Sequence, residues 1–212
     1  MKAKDISRKN RLRKYNLFLE KLKPSANDKI LDVGFANTEY SDVDNFLEKN
    51  YPYPSNITAL GVEEYDLFKE RYPAIEVIRY DGKTFPFEDK CFDIGWYNAV
   101  IEHVIENGGG DSQVRFLREL SRTCKKIYFT TPNRYFPVEL HTRFLFIHWF
   151  PKPVFDKILS FTSKKWAAGN YMRLLSKKEL KMLLKKANIS NYHIYCNRFG
   201  GFTMDFSVVV SE

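Results

Sequence analysis

Acids and small residues recur where apolar runs end in this chain of 212 residues. Asp32-Val33-Gly34-Phe35-Ala36 follows the apolar pair Ile30-Leu31. A glycine at a strand's carboxyl end lets backbone approach a ligand closely. Glu63 closes the run Ala59-Leu60-Gly61-Val62, where an acid can accept hydrogen bonds from both hydroxyls of a ribose. Asp81-Gly82 ends the run Val77 to Tyr80, where an aspartate can accept from the amino group of a base. Asn98, Glu102 and His103 stand just past a fourth run that opens Phe92-Asp93. His103 and His141 carry imidazole, the side-chain type suited to a general base near neutral pH. Each feature alone also fits a strand-to-helix turn, a solvated carboxylate, a plain turn or a structural histidine.

Periodicity predicts the elements that hold these residues. Tyr15, Phe18, Leu19 and Leu22 recur at helical spacing, so a helix is expected over Arg8 to Lys23. Strands are expected at Ile30 to Val33, Ile57 to Val62, Val77 to Tyr80, Phe92 to Tyr97 and Lys126 to Thr130. Helices are expected at Asp42 to Lys49 behind a Ser41 cap and at Tyr65 to Arg71, with Ala99 to Val104 turning helical. Gly108-Gly109-Gly110 breaks the chain, and Asp111 or Ser112 caps a helix through Cys124. Asn133 to Leu175 reads as irregular and aromatic. Ser176-Lys177-Lys178-Glu179 is a capping box that opens a further helix. Tyr192 to Cys196 and Thr203 to Val210, joined through Gly200-Gly201, are the last strands and should pair antiparallel.

Strands alternating with helices predict an α/β fold, mostly parallel, with helices on both faces. Ligands in such sheets bind beyond the carboxyl ends of the strands, at the switch point. One domain is expected over residues 1–212, with 133–175 a substrate-pocket elaboration.

The order of the pieces carries more weight than any piece. Gly-bearing turn, acid, Asp-Gly and Phe-Asp with Glu-His follow strands one, two, three and four. That order resembles class I S-adenosylmethionine (SAM)-dependent methyltransferases, especially the small-molecule group related to quinone-biosynthesis methyltransferases. The likeness covers about residues 28 to 132, and the implied Rossmann-like doubly wound sheet of about seven strands extends to Val210 with an antiparallel last strand. Phe85-Pro86-Phe87 and Phe92-Asp93 are similar to the group's Leu-Pro-Phe and Phe-Asp pattern. Thr131-Pro132-Asn133-Arg134 with Glu139 and His141-Thr142 is similar to a bacterial subgroup. The resemblance implies an enzyme with SAM as cofactor and S-adenosylhomocysteine as its product. It places Asp32 and Gly34 around the amino-acid part of SAM, with Ala36 in the same loop. Glu63 would hold the ribose, Asp81 and Gly82 the adenine, and Asn98 would lie under the sulfonium. Ala36 and Thr38 occupy the next two glycine positions of the usual loop.

Methyl transfer is an in-line displacement, so the protein mainly aligns the acceptor and excludes water. His103 and His141 are the expected catalytic bases. Glu102-His103 with Glu139 and His141 has metal-donor types, but Ala99 replaces the first acid of a Glu-x-x-Glu-His segment, and no metal is expected. The expected acceptor is a small molecule or a glycan or lipid intermediate; RNA, or a SAM-binding scaffold without catalysis, is the alternative. A nicotinamide dehydrogenase is disfavoured, because Gly-x-Gly-x-x-Gly is absent. Net charge is +8, read as a lysine-rich surface. Lys164-Lys165-Trp166 mixes charge and aromatic character as nucleic-acid surfaces do, without favouring that partner. Phe144 to Phe150 is expected to roof the substrate pocket, and with Lys152 and Lys157 nearby it would also suit peripheral membrane contact. Cys91, Cys124 and Cys196 lack metal or disulfide spacing and fit free thiols in a reducing cytoplasm. The opening Met1-Lys2-Ala3-Lys4-Asp5 lacks the apolar run of a signal peptide, and no stretch reads as a transmembrane segment.

Overall fold

The computed structural model describes residues 3–106, 110–139 and 141–211. Gly108 and Gly109 of the expected break lie outside the described residues. Seven strands form one sheet: β1 (Ile30–Val33), β2 (Ile57–Gly61), β3 (Glu76–Arg79), β4 (Phe92–Asn98), β5 (Cys124–Pro132), β6 (Tyr192–Phe199) and β7 (Phe202–Val210). Their order is β3-β2-β1-β4-β5-β7-β6. β1 pairs in parallel with β2 and β4, and β2 pairs in parallel with β3. β6 and β7 meet through Gly200 and Gly201, whose φ angles of 56° and 85° suit the tight turn of an antiparallel hairpin. The predicted Rossmann-like sheet, mostly parallel and closed by antiparallel strands, is therefore present.

Six α-helices accompany the sheet among the described residues: α1 (Ala3–Leu22), α2 (Phe46–Asn50), α3 (Asp66–Arg71), α4 (Gly110–Thr123), α5 (Lys152–Ser160) and α6 (Lys177–Lys186). Several boundaries differ from those predicted, each for a local reason. α2 starts at Phe46 because Asn45 is left-handed at φ 47° and cannot continue a helix. Ser41 does not cap it; its hydroxyl bonds Asp44 Oδ1 at 3.0 Å. The expected helix from Ala99 to Val104 shrinks to a 3-10 turn, Ile101–His103, because Ala99 has φ 60°. Ser112 does not cap α4; its hydroxyl donates to the Val104 carbonyl at 3.0 Å. Cys124 opens β5 instead of ending α4. The stretch 133–175 holds α5, which starts with prolines in its first turn, where a missing N–H costs nothing. At α6 the capping box forms as predicted: the Glu179 amide donates to Ser176 Oγ at 3.2 Å, and the Ser176 amide to Glu179 Oε2 at 2.9 Å.

The chain divides into two compact units. One comprises Met1–Asn98, Glu119–Phe129 and Val209–Glu212. Its core is aromatic: Tyr128 stacks on Trp96 with ring centroids 5.1 Å apart, and Phe18 of α1 meets Trp96 edge-on at 4.8 Å. Burying each such side chain contributes roughly 1.5–3 kcal/mol. The other unit comprises Ala99–Arg118 and Thr130–Val208. Phe155, Leu159, Ala167 and Met172 form a core there, with Phe144 and Ile147 packed against it. Leu145, Phe146, Trp149 and Phe150 remain exposed, so the predicted aromatic roof is divided between core and surface. All three cysteines are free thiols. Among the described residues no helix is long and apolar enough to cross a membrane.

Candidate active site

Strand register brings the sequence-predicted cofactor residues to one sheet edge. Val33 lies beside Leu60, Gly61 beside Arg79, and Asp32 beside Trp96. The Gly34 amide donates to the Leu60 carbonyl at 3.0 Å, and the Tyr80 amide to the Gly61 carbonyl at 3.0 Å. Gly34, Glu63, Asp81 and Asn98 therefore follow the carboxyl ends of β1, β2, β3 and β4, four neighbouring strands. At about 4.8 Å per strand, that edge spans roughly 14 Å. The strand order reverses between β1 and β4, the place where sheets of this kind take ligands.

The loop after β1 is held by side chains rather than by extra glycines. Gly34 is exposed at φ 93°, a conformation that favours glycine. Asn45 Oδ1 accepts from the Ala36 amide at 2.8 Å, and its Nδ2 donates to the Ala36 carbonyl and to Glu39 Oε1, both at 2.8 Å. Glu39 also accepts from the Tyr72 hydroxyl at 2.6 Å and pairs with Lys49 at 2.7 Å. Burial pushes the Glu39 carboxyl up, but these partners outweigh it and hold its pKa below the usual range. Asn45 thus takes the Ala36 amide and one of the two lone pairs of its carbonyl. Asp32 is buried below the edge, where it interacts with the buried carboxyl of Glu48 in α2. Burial, then the Glu48 charge, pushes the Asp32 carboxyl well up; burial also raises Glu48.

Glu63 is exposed just beyond β2. Asp81 is exposed, and its Oδ1 accepts from the amides of Lys83 at 2.8 Å and Thr84 at 3.2 Å, which hold its carboxyl below the usual range. Gly82 has φ 79°, and a Cβ there would stand 3.5 Å from Val62 Cγ1. With Gly34, Glu63 and Asp81, this edge presents a glycine turn and two exposed acids, groups that can accept from hydroxyl and amino donors.

A second group lies wholly within 99–208. Glu102 is fully buried; its Oε2 accepts from the Thr131 hydroxyl at 3.1 Å, and Oε1 has no partner among the described residues. Burial pushes its carboxyl up. His103 Nδ1 lies 3.0 Å from the Tyr171 carbonyl, and its ring meets that of His141 edge-on at 5.1 Å. His141 Nδ1 lies 2.7 Å from Glu139 Oε1. Glu139 is buried and accepts from the amides of His141 at 3.0 Å and Thr142 at 2.5 Å. Burial pushes Glu139 up, but these donors prevail and bring its pKa down to about 2. Burial lowers His141, yet Glu139 and Glu102 raise it overall. The structure thus brings together Glu102, His103, Glu139 and His141, which the sequence grouped, and adds Thr131 and Tyr171. Glu139 and His141 share a visible i, i+2 spacing, whereas nothing in sequence marks Tyr171.

Beside this cluster is a cavity of about 250 Å³ lined in part by Arg134, His148, Lys152, Asp156, Arg173 and Glu179. His148 is buried; its Nε2 lies 2.8 Å from the Phe136 carbonyl, and its Nδ1 has no partner among the described residues. The Arg173 amide donates to the Glu102 carbonyl at 2.7 Å, so one segment, Tyr171 to Arg173, borders both cluster and cavity.

Residues 31–127 match the family model described as a methyltransferase domain. A SAM-dependent methyltransferase from Aquifex aeolicus superposes with a TM-score of 0.54 at 16% identity, covering 92% of this chain and 87% of that one. The N-terminal domain of EvdMO1 with S-adenosylhomocysteine bound gives 0.57 at 18% identity, covering 95% and 80%. The YcgJ protein from Bacillus subtilis gives 0.58 at 12% identity, covering 94% and 98%. These likenesses establish the fold. No curated protein matches the chain.

Proposed function

We propose that the chain methylates a hydroxyl of a small, polar acceptor bearing an acidic group, such as a glycan or lipid intermediate. The observation that carries this reading is the alignment of Gly34, Glu63, Asp81 and Asn98 on four adjacent strand ends within a methyltransferase domain. SAM, when bound, supplies an electrophilic methyl on a sulfonium. Gly34 lets backbone approach its amino-acid part, and Asp32 supports that loop from beneath without contact. Ala36 contributes a small wall, because its amide is taken by Asn45. Glu63 accepts from the ribose hydroxyls, Asp81 and Gly82 receive the adenine, and Asn98 lies under the sulfonium.

His103 and His141 govern the acceptor's proton, each with Nδ1 engaged and Nε2 turned to the work. The cavity supports an anionic, hydroxylated acceptor. On its wall Lys152 pairs with Asp156, and Arg134 and Arg173 share Glu179, which leaves one positive charge in excess. Burial lowers the His148 pKa, which keeps the ring neutral and Nδ1 ready to accept from a ligand hydroxyl.

Calorimetric titration with SAM and S-adenosylhomocysteine tests the cofactor. Failure of a folded protein to bind either would refute the reading. A panel of acidic sugars, neutral sugars, lipid-linked glycans and RNA oligonucleotides, followed by methyl incorporation, tests the acceptor. Turnover of RNA alone would overturn the small-molecule assignment.

A further inference from the structure

We propose that Glu102, His103 and His141 bind one divalent cation of the zinc type. Each offers one donor atom, a carboxylate oxygen or an imidazole nitrogen, and all three donors lie within 4.8 Å of one another. The site stands on this geometry alone; only the role of the ion in catalysis rests on the methyltransferase reading.

Four details point to a cation. Glu102 is fully buried, and Oε1 has no hydrogen-bond partner among the described residues. Such an oxygen is costly unless a cation or donor answers it. Its other oxygen is fixed by Thr131, which aims the carboxyl. The Tyr171 carbonyl at His103 Nδ1 can only accept, so Nδ1 carries the hydrogen and Nε2 presents a lone pair. The Glu139 carboxylate does the same for His141 through Nδ1. Ligand histidines characteristically donate their second nitrogen to a carbonyl or a carboxylate, and here one of each is in place. Glu139 is therefore a positioning residue and not a ligand, because its oxygens are occupied by His141 and Thr142.

One carboxylate and two imidazoles suit zinc or a neighbouring transition ion, with positions left open. An acceptor hydroxyl in an open position would lose its proton to solvent more readily. With the ion bound, the imidazole Nε2 atoms are ligands and no longer bases, and the ion's lowering of the hydroxyl's pKa replaces their basicity. No redox step is involved. The absent acid at position 99 does not break the set, since Ala99 is not needed for three converging donors.

The test uses the full chain, stripped with chelator and dialysed. Zn2+ is titrated by calorimetry, and Co2+ by its visible ligand-field absorption. The expected result is one equivalent bound, with Glu102→Gln and His141→Ala each weakening it by about 100-fold or more and Glu139→Gln by about 10–100-fold. His193→Ala, exposed on β6, should leave affinity unchanged. SAM titration of each variant reports folding and tests the cofactor reading separately. Absence of a one-equivalent site, or a site that survives both Glu102→Gln and His141→Ala in protein that still binds SAM, overturns the proposal. Should Glu102→Gln fail to fold, His103→Ala with the Co2+ spectrum decides: an unchanged spectrum overturns it.

Discussion

Replacing Asn45 should loosen the loop after β1 and weaken SAM binding together. Its side chain makes three hydrogen bonds at 2.8 Å, two to Ala36 and one to Glu39. A neutral bond of this kind contributes about 0.5–1.5 kcal/mol, and one to an ionised carboxylate about 1.5–3 kcal/mol. Left-handed backbone costs a residue such as alanine roughly 1–2 kcal/mol, a cost that asparagine offsets with local hydrogen bonds. Asn45→Ala should therefore cost about 3.5–8 kcal/mol in urea unfolding followed by circular dichroism. Asn45→Gly loses the same bonds but not the backbone conformation, so it should be about 1 kcal/mol milder. Asn45→Asp keeps an acceptor for the Ala36 amide but sets a second carboxylate against Glu39, so it should match alanine near neutral pH. Calorimetric SAM affinity should fall in the same order, because a released loop must be ordered on binding. If Asn45→Ala changed stability by less than about 0.5 kcal/mol and left SAM affinity intact, the reasoning would be wrong.

The other expectations are simpler. Asp32 and Glu48 have raised pKa values, so the folded protein keeps a proton that the unfolded chain releases in the ordinary carboxylate range. Stability should therefore fall as pH rises from that range toward the folded pKa of the pair, and Glu48→Gln should flatten the fall; parallel pH–stability curves from thermal melts would count against it. Asp81→Ala should weaken SAM about tenfold by calorimetry, with Asp81→Asn milder because an oxygen still receives the Lys83 and Thr84 amides. Ala99→Gly should stabilise by about 1 kcal/mol, since Ala99 sits at φ 60°; a destabilised variant in chemical denaturation would show that no strain resides there.

Much of the β1–β4 edge was legible because each acid or glycine closes an apolar run, and parallel pairing brings run ends level. The capping box at Ser176 was legible for a similar reason, its chemistry being local. Ala99 to Val104 was misread because no propensity marks a left-handed alanine. α5 was missed because prolines and exposed aromatics obscure its apolar spacing, which only the Phe155–Met172 core reveals. Asn45 and Glu48 carried no signal: their partners are 9 and 16 residues away through a loop without periodicity. His103 and His141 could be singled out by residue type, but the Tyr171 partner of His103 could not, since a carbonyl leaves no trace in side-chain type.

The segment Tyr171 to Arg173 joins the cavity to the Glu102 cluster by backbone alone. Its carbonyl orients His103, its Arg173 amide holds the Glu102 carbonyl, and its Met172 and Arg173 face the cavity. A molecule that displaced this segment on entering would rotate one imidazole and drag the turn that bears the carboxylate. Discrimination between acceptors would then be exercised in turnover more than in occupancy: ill-fitting molecules would bind and leave unmodified.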